Sequence, residues 1–372
     1  MTTSDTPVHP GVVIPRQAGA PDGEIRPRDQ APGRQHRHDI DLIRLLGSSG
    51  VILSHVGALF IEAVGRKSGN GPGAYWAGMT ANAIGAYAVP MFFAIAGWAV
   101  LSGAPPKDSR RMWQRLRRTL IPMFVWTALY LLWAHFRDTN KAPVAELAVD
   151  SLFGTVRPAY HLWFMYAYLP IIVLLAFVVL LRAGQKPWLM GGVLLALASG
   201  PVLMNDLHGL TDRDLPTFGW GFGVYSLVYA VLGAFLLSRP TAPGGRRARI
   251  AWLSLAALCA AGVLYYQSQV HYAMPNASIV GAVFTGAIIL GLSRIRVPAR
   301  VRPFASRLAN AALGAYLCHI LVLDVVADPF VDTDLSGAAA GGLVAGLTVV
   351  SIACSFGLSL AWQRLGLKKV LG

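Results

Sequence analysis

Long apolar runs dominate this chain from residue 39 to residue 362. Each run has about 18 to 24 residues, the length that a helix needs to cross the roughly 30 Å hydrocarbon core of a bilayer. Lipid offers no hydrogen-bond partner to backbone groups, so a spanning segment must be helical or part of a closed barrel. The runs are continuous and do not alternate between apolar and polar residues, which favours helices. The sequence therefore predicts an all-α fold, a polytopic transmembrane helix bundle.

We predict about ten spans. They cover residues 39–61, 80–102, 118–136, 160–181, 187–204, 217–237, 250–268, 277–293, 308–328 and 338–362. The composition agrees, because only 13% of the residues are charged, against roughly 25% in a soluble domain. The three cysteines lie inside apolar runs without the spacing of metal ligands. We therefore predict that they are small core residues and that the protein holds no metal.

Positive charge is concentrated in every second loop. Of the 32 Lys and Arg residues, 25 lie before the first span, in alternate loops or after the last span. The positive-inside rule then predicts that both termini are cytosolic. Orientation and attraction to anionic membrane lipids account for the net charge of +14. We expect no nucleic acid partner.

Three regions follow from this layout. Residues 1–37 are rich in Pro, Gly and Arg and lack an apolar stretch, so we predict a disordered cytosolic tail. Residues 38–365 are predicted to form the transmembrane domain. Residues 366–372 are predicted to form a second, short cytosolic tail.

The first span carries charged residues that a bilayer disfavours, which makes them functional candidates. Arg44 and His55 are eleven residues apart, so they share one face of a helix, separated by about 16 Å along its axis. Asp41 lies on the same face and can pair with Arg44. A guanidinium binds phosphates through paired hydrogen bonds, and an imidazole can take a proton from a hydroxyl. Alternatively, Arg44 reaches the interface and His55 bonds to a neighbouring helix.

The order of several motifs resembles the acyltransferase-3 family, whose members are integral membrane enzymes that modify bacterial surface glycans, lipid-linked sugars and some secondary metabolites. The motifs are Asp41-x-x-Arg44 with His55, Pro90–Trp98, Arg115–Pro122, Tyr160–Phe164 and Gly314–His319. The resemblance covers about residues 38–365. One departure is Ala96, where the family usually has serine, so a hydroxyl role at that position is lost.

The resemblance implies roles for the donor side of the reaction. It implies that His55 is the catalytic base and that Arg44 binds or orients the donor, with Asp41 fixing Arg44. Arg115 and Arg118 would contact acyl-CoA together with Arg44. The alternatives are an interfacial Asp41 at the helix start and plain cytosolic anchoring for the two other arginines.

The positions of four residues within the spans suggest contacts with the acceptor. His161 opens the fourth span at its external end, so it can meet the acceptor there with Tyr160 and Trp163. These three residues would otherwise be ordinary members of an aromatic belt. His319 lies within the ninth span and is either a second polar site residue or a hydrogen-bonding contact between helices.

The implied activity is transfer of an acyl group from cytosolic acyl-CoA to a hydroxyl of a carbohydrate or lipid-linked glycan on the far side of a bacterial inner membrane. Acetyl is the commonest acyl group in the family, which makes acetyl-CoA the expected donor. Two other functions are open. Ten helices with buried Arg and His residues also suit a transporter or flippase, although the two related halves typical of carriers are not evident. A structural subunit with a degenerate site would not need Asp41, Arg44 and His55 to be intact.

Overall fold

The computed structural model describes residues 36–66, 71–103, 108–239, 244–270 and 274–372. Within these ranges the chain forms thirteen α-helices and two short 3₁₀ turns, and it forms no strand. The predicted disordered tail, residues 1–37, lies outside the described residues except for its last two. Its disorder stays a prediction.

The helices vary from 4 to 29 residues in length. Their bounds are α1 His38–Arg66, α2 Pro72–Gly85, α3 Ala88–Leu101, α4 Ser109–Phe136, α5 Val144–Phe153, α6 Trp163–Arg182, α7 Trp188–Thr211, α8 Val224–Leu237, α9 Arg246–Gln269, α10 Ile279–Leu292, α11 Arg302–Val326, α12 Gly337–Arg364 and α13 Lys368–Leu371. The 3₁₀ turns are Arg157–Leu162, directly before α6, and Asp328–Phe330, after α11.

Among the described residues, eight helical segments are long and apolar enough to cross a membrane, and α8 and α10 are shorter apolar helices. The pair α2 and α3 forms one of the eight segments, and α5 through α6 forms another. Each of the ten predicted spans coincides with one of these elements, which confirms the all-α polytopic bundle. We call the end of the bundle where α1, α4, α9 and α11 begin the basic side, and the opposite end the far side.

The sixth predicted span begins too early. Residues 217–223 are not helical, and α8 starts only at Val224. Pro216 and three glycines in this stretch disfavour a helix. The backbone amides of Gly219 and Gly221 instead donate to the carbonyls of Phe153 and Tyr166. The segment is therefore anchored to the end of α5 and the start of α6.

Glycines bring α3 and α8 into backbone contact. Gly97 faces Ala230, and Gly233 faces Ala94, so closely that an added Cβ would overlap the opposing carbonyl oxygen in both cases. Small residues let membrane helices approach in this way, because packing replaces the hydrophobic effect as the attraction between helices. Gly97 belongs to the motif Pro90–Trp98, so that part of the motif has a packing role.

We expect Gly97→Val to destabilise the protein by about 1–3 kcal/mol, because the added methyl groups must displace the α8 backbone. The measurement is the thermal unfolding midpoint of the purified protein in detergent. Gly346→Val in α12 is the matched control. Apart from the neighbouring backbone of α12 itself, no heavy atom lies within 4 Å of a Cβ added at Gly346. Equal losses in both variants would contradict the proposed helix contact.

A largely buried ion pair fixes the start of α1 on the basic side. Asp39 is 5% exposed, and its carboxylate accepts from Nε of Arg37 at 2.7 Å and from the backbone amide of Arg294 at 2.6 Å. Arg37 also donates from Nη1 to the carbonyl of Leu237 at 2.8 Å. This pair therefore joins α1 to the last residue of α8 and to the connection after α10.

The last residues fold back onto the bundle. Trp126 of α4 donates from Nε1 to the carbonyl of Leu371 at 3.1 Å, and Trp362 of α12 donates to the carbonyl of Gly372 at 3.0 Å. Residues 366–372 thus include the short helix α13, and the last two of them are hydrogen-bonded to α4 and α12. Their cytosolic location stays a prediction.

Candidate active site between two cavities

An inner cavity of about 260 Å³ lies among α1, α3, α4, α6 and α11. Arg44 and Arg115 contribute two guanidinium groups to its lining, and Tyr316 of α11 lines it as well. Ala96 is part of the wall and is buried, so the residue that departs from the family pattern faces this space. Two guanidinium groups beside apolar walls can hold an anionic group attached to an apolar chain.

Asp41 lies beside Arg44 at this cavity and is bonded to Ser306 of α11. The Asp41 carboxylate is buried and lies 4.0 Å from Nη1 of Arg44, at an i, i+3 spacing on α1. It also accepts from the hydroxyl of Ser306 on α11 at 2.6 Å. The carboxylate is thus anchored on one side and paired with the guanidinium on the other. Ser306 belongs to no motif, and sequence analysis did not identify it.

An outer cavity of about 600 Å³ lies toward the far side. Aromatic residues Tyr130, Trp133 and Tyr160 line it together with charged residues of both signs, among them Arg157 and Asp324. Trp133 donates from Nε1 to Asp324 at 3.2 Å. Ring faces beside carboxylate and guanidinium groups can hold a ligand that has both apolar faces and hydroxyl groups.

Three histidines, which we call the histidine cluster, meet between these cavities. The ring centroid of His319 lies 5.0 Å from that of His55 and 5.1 Å from that of His161. On the outer side, the Tyr160 hydroxyl lies 3.2 Å from Nδ1 of His55. On the inner side, the ring of Tyr316 lies 5.6 Å from that of His319. The cluster is therefore in contact with a lining residue of each cavity.

The hydrogen bonds assign the tautomers of two of these histidines. Nε2 of His161 lies 3.4 Å from the Leu317 carbonyl, and Nδ1 of His319 makes a short bond to the Tyr316 carbonyl. A carbonyl only accepts, so each of these nitrogens carries a proton. The other two nitrogens, Nδ1 of His161 and Nε2 of His319, are buried and have no hydrogen-bond partner among the described residues. A neutral histidine in this state presents a bare lone pair.

Two tyrosines hold this part of α11 in place. Tyr130 donates to the Leu317 carbonyl at 2.9 Å and accepts from the Leu321 amide at 3.3 Å. Both backbone groups belong to the same turn of α11. The Tyr316 hydroxyl donates to the carbonyl of His161. Tyr130 belongs to no motif, so the sequence did not point to it. Tyr316 lies within the motif Gly314–His319, and that motif could have identified it as a site residue.

The remaining predicted site residues lie elsewhere. Arg118 is exposed and is not among the residues that line the inner cavity. Trp163 is partly buried and packs against Phe164 at 6.4 Å between ring centroids, and it lines neither cavity. The structure therefore brings Arg44 together with Arg115, and His55 together with Tyr160, His161 and His319.

Comparison with known proteins gives one result. The family model for acyltransferase-3, described as an acyltransferase domain, matches residues 37–360. Neither the curated proteins nor the solved structures give a significant match. The match covers most of the chain, contains both cavities and the whole histidine cluster, and ends four residues before the end of α12. This multi-pass membrane protein therefore belongs to the acyltransferase-3 family and is a membrane acyltransferase.

Proposed function

We propose that the protein transfers an acyl group, with acetyl as the first candidate, from cytosolic acyl-CoA to a hydroxyl of a carbohydrate or lipid-linked glycan. The location would be a bacterial inner membrane, with the basic side in the cytosol. The observation that supports this most is the position of the histidine cluster, between a cavity with two arginines and a cavity with aromatic and charged walls.

The inner cavity suits the donor. Phosphates of the CoA nucleotide would bind near the guanidinium groups of Arg44 and Arg115 through paired hydrogen bonds. Sites that enclose a whole drug-sized ligand measure about 300–1,000 Å³, and the inner cavity is smaller, at about 260 Å³. We therefore place the phosphates at the arginine-lined basic side of the cavity and only the acyl end of the donor deep inside it, pointing toward Tyr316 and the histidine cluster.

The outer cavity suits the acceptor. A sugar can stack on Trp133 or Tyr160 and donate hydroxyl hydrogen bonds to carboxylates such as Asp324. Its reacting hydroxyl would donate its one proton to His55 or to Tyr160, and other hydroxyls of the sugar can donate hydrogen bonds to the bare nitrogens of His161 and His319. Filling these two acceptors would remove the cost of leaving them unpaired in the buried site.

The reaction needs one proton to move twice. His55 takes the proton of the acceptor hydroxyl, directly or through the Tyr160 hydroxyl, while that oxygen attacks the thioester carbonyl. The carbon–sulfur bond then breaks, and the imidazolium returns the proton to the leaving CoA thiolate. The products are an ester and free CoA, and His55 is neutral again.

We expect Tyr160→Phe to lower kcat about tenfold or more, since a positioned group in proton transfer typically contributes about 10²–10⁴-fold. The KM for acetyl-CoA should change little, because Tyr160 does not line the inner cavity. The measurement is steady-state acyl transfer, with Tyr265→Phe, an exposed tyrosine on α9, as the control. A variant with wild-type kcat would exclude Tyr160 from the proton path.

A transporter or flippase is the second candidate, because polar groups between two cavities on opposite sides are also typical of carriers. The two functions differ in what happens to the substrate. We would reconstitute the protein in liposomes with radiolabelled acetyl-CoA outside and candidate glycan acceptors inside. CoA release with label on the acceptor would support the enzyme, whereas movement of an unmodified substrate would favour the carrier.

A further inference from the structure

A third cavity, which we call the lateral basic cavity, lies on the basic side between the first turns of α4 and the start of α7. Its volume is about 600 Å³. The lining includes three cationic side chains, Arg110, Arg117 and Lys186, and two indole rings, Trp113 and Trp188. No carboxylate is among its lining residues. The cavity therefore has the charge to bind an anion.

This cavity is separate from the inner cavity. The α4 residues that line it lie at positions 109, 110, 113, 114 and 117, which lie on one side of the helix. The α4 residues of the inner cavity are Arg115 and Thr119. At 100° per residue, Arg115 and Arg117 point about 200° apart, toward opposite faces of α4. The arginines at the start of α4 thus line two different cavities, with Arg115 at the inner cavity and Arg110 and Arg117 at the lateral basic cavity.

The surroundings of the lateral basic cavity are apolar. Trp188 is 63% exposed and Leu189 is 71% exposed, and further along the same helix Leu195 and Val202 are also exposed. In the most apolar part of α7, only 11% of the residues are buried inside the protein. This helix therefore presents most of its surface to lipid. Tryptophan is enriched where the hydrocarbon core meets the headgroups. Cations at that depth, beside an apolar helix surface, match a molecule with an anionic head and acyl chains.

We propose that the lateral basic cavity binds the headgroup phosphate of an anionic phospholipid, with the acyl chains lying along α7. Basic pockets between helices on the cytosolic side are suited to such headgroups. The nucleotide phosphates of the acyl donor offer the same chemistry. The lipid fits better because the apolar flank of α7 has no match in a nucleotide, and because Arg44 and Arg115 lie at a different cavity.

The test is native mass spectrometry of the purified protein titrated with phosphatidylglycerol or phosphatidylcholine. We expect tighter binding of phosphatidylglycerol, and a loss of about tenfold or more in Arg110→Gln/Arg117→Gln, given the contribution of each cation near an anionic headgroup. The matched control is Arg246→Gln/Arg247→Gln, which removes two exposed charges at the start of α9 on the same side. This control should change the affinity less than about twofold.

Two results would overturn the proposal. Equal loss in both double variants would mean that the lipid responds only to the overall charge of the basic side. Displacement of phosphatidylglycerol by free CoA would mean that the cavity belongs to the donor nucleotide. If the double variant does not fold, Arg117→Gln and Trp188→Ala singly should each weaken phosphatidylglycerol binding, and wild-type affinity in both would also overturn it.

Discussion

Replacing His55 by alanine should lower acyl transfer by about 10²–10⁴-fold, the usual contribution of a positioned general base. The expectation follows from its contacts, because His55 touches Tyr160 of the outer cavity and His319 of the cluster. The measurement is CoA release and label transfer by purified protein in liposomes. The binding of acetyl-CoA should persist, since His55 does not line the inner cavity.

The control for His55→Ala is His135→Ala. His135 is an exposed histidine of α4, and it has no contact with the cluster among the described ring contacts. This variant should retain full activity. Full acyl-transfer activity of a correctly inserted His55→Ala protein would exclude His55 as the general base.

Replacing Arg44 by alanine should raise the KM for acetyl-CoA by about 10- to 100-fold, because a hydrogen bond to a charged group contributes about 1.5–3 kcal/mol and each 1.4 kcal/mol is tenfold. Arg44→Lys should recover only part of this loss, since an ammonium cannot form the paired bonds of a guanidinium. The measurement is kcat and KM with varied acetyl-CoA. An unchanged KM would remove Arg44 from the donor site.

Arg118→Ala provides a direct comparison for the same experiment. Arg118 is three residues from Arg115 and was predicted to contact the donor, but it does not line the inner cavity. We expect its replacement to raise the KM less than about threefold, as for a screened surface charge. An effect as large as that of Arg44→Ala would support the prediction that Arg118 contacts the donor. It would contradict the inference that, of Arg115 and Arg118, only Arg115 lies at the donor cavity.

Several features of the fold were predictable because they depend on properties local to one segment. The length of the apolar runs predicted the spanning helices, and helical periodicity predicted that Asp41 and Arg44 can pair on α1. The separation of Arg115 from Arg117 was also available from periodicity, since the two residues differ by about 200° around a helix. The predicted span began before α8, because the aromatic residues of this stretch extend the apolar run although Pro216 and the glycines after it favour a turn.

The contacts within the candidate site were less predictable. His55, His161 and His319 lie on three elements far apart in sequence, and their meeting depends on how those helices pack. The resemblance to the family motifs identified all three residues as candidates. It did not indicate which ring nitrogens of His161 and His319 carry a proton and which are left without a hydrogen bond. Tyr130 and Ser306 lie in no motif, and their roles follow only from partners on α11.

The ion pair between Arg37 and Asp39 has a consequence for biosynthesis. Its further partners, Leu237 and Arg294, follow 200 residues after Arg37 and 255 residues after Asp39. A ribosome that adds roughly 5–20 residues per second needs about 13–50 s to reach Arg294. During that interval α1 has left the ribosome while two of its anchoring groups do not yet exist. During this interval Arg37, two residues away, can pair with the Asp39 carboxylate. The first helix can therefore enter the bilayer before α8 and the connection after α10, which later bind this ion pair, have been synthesised.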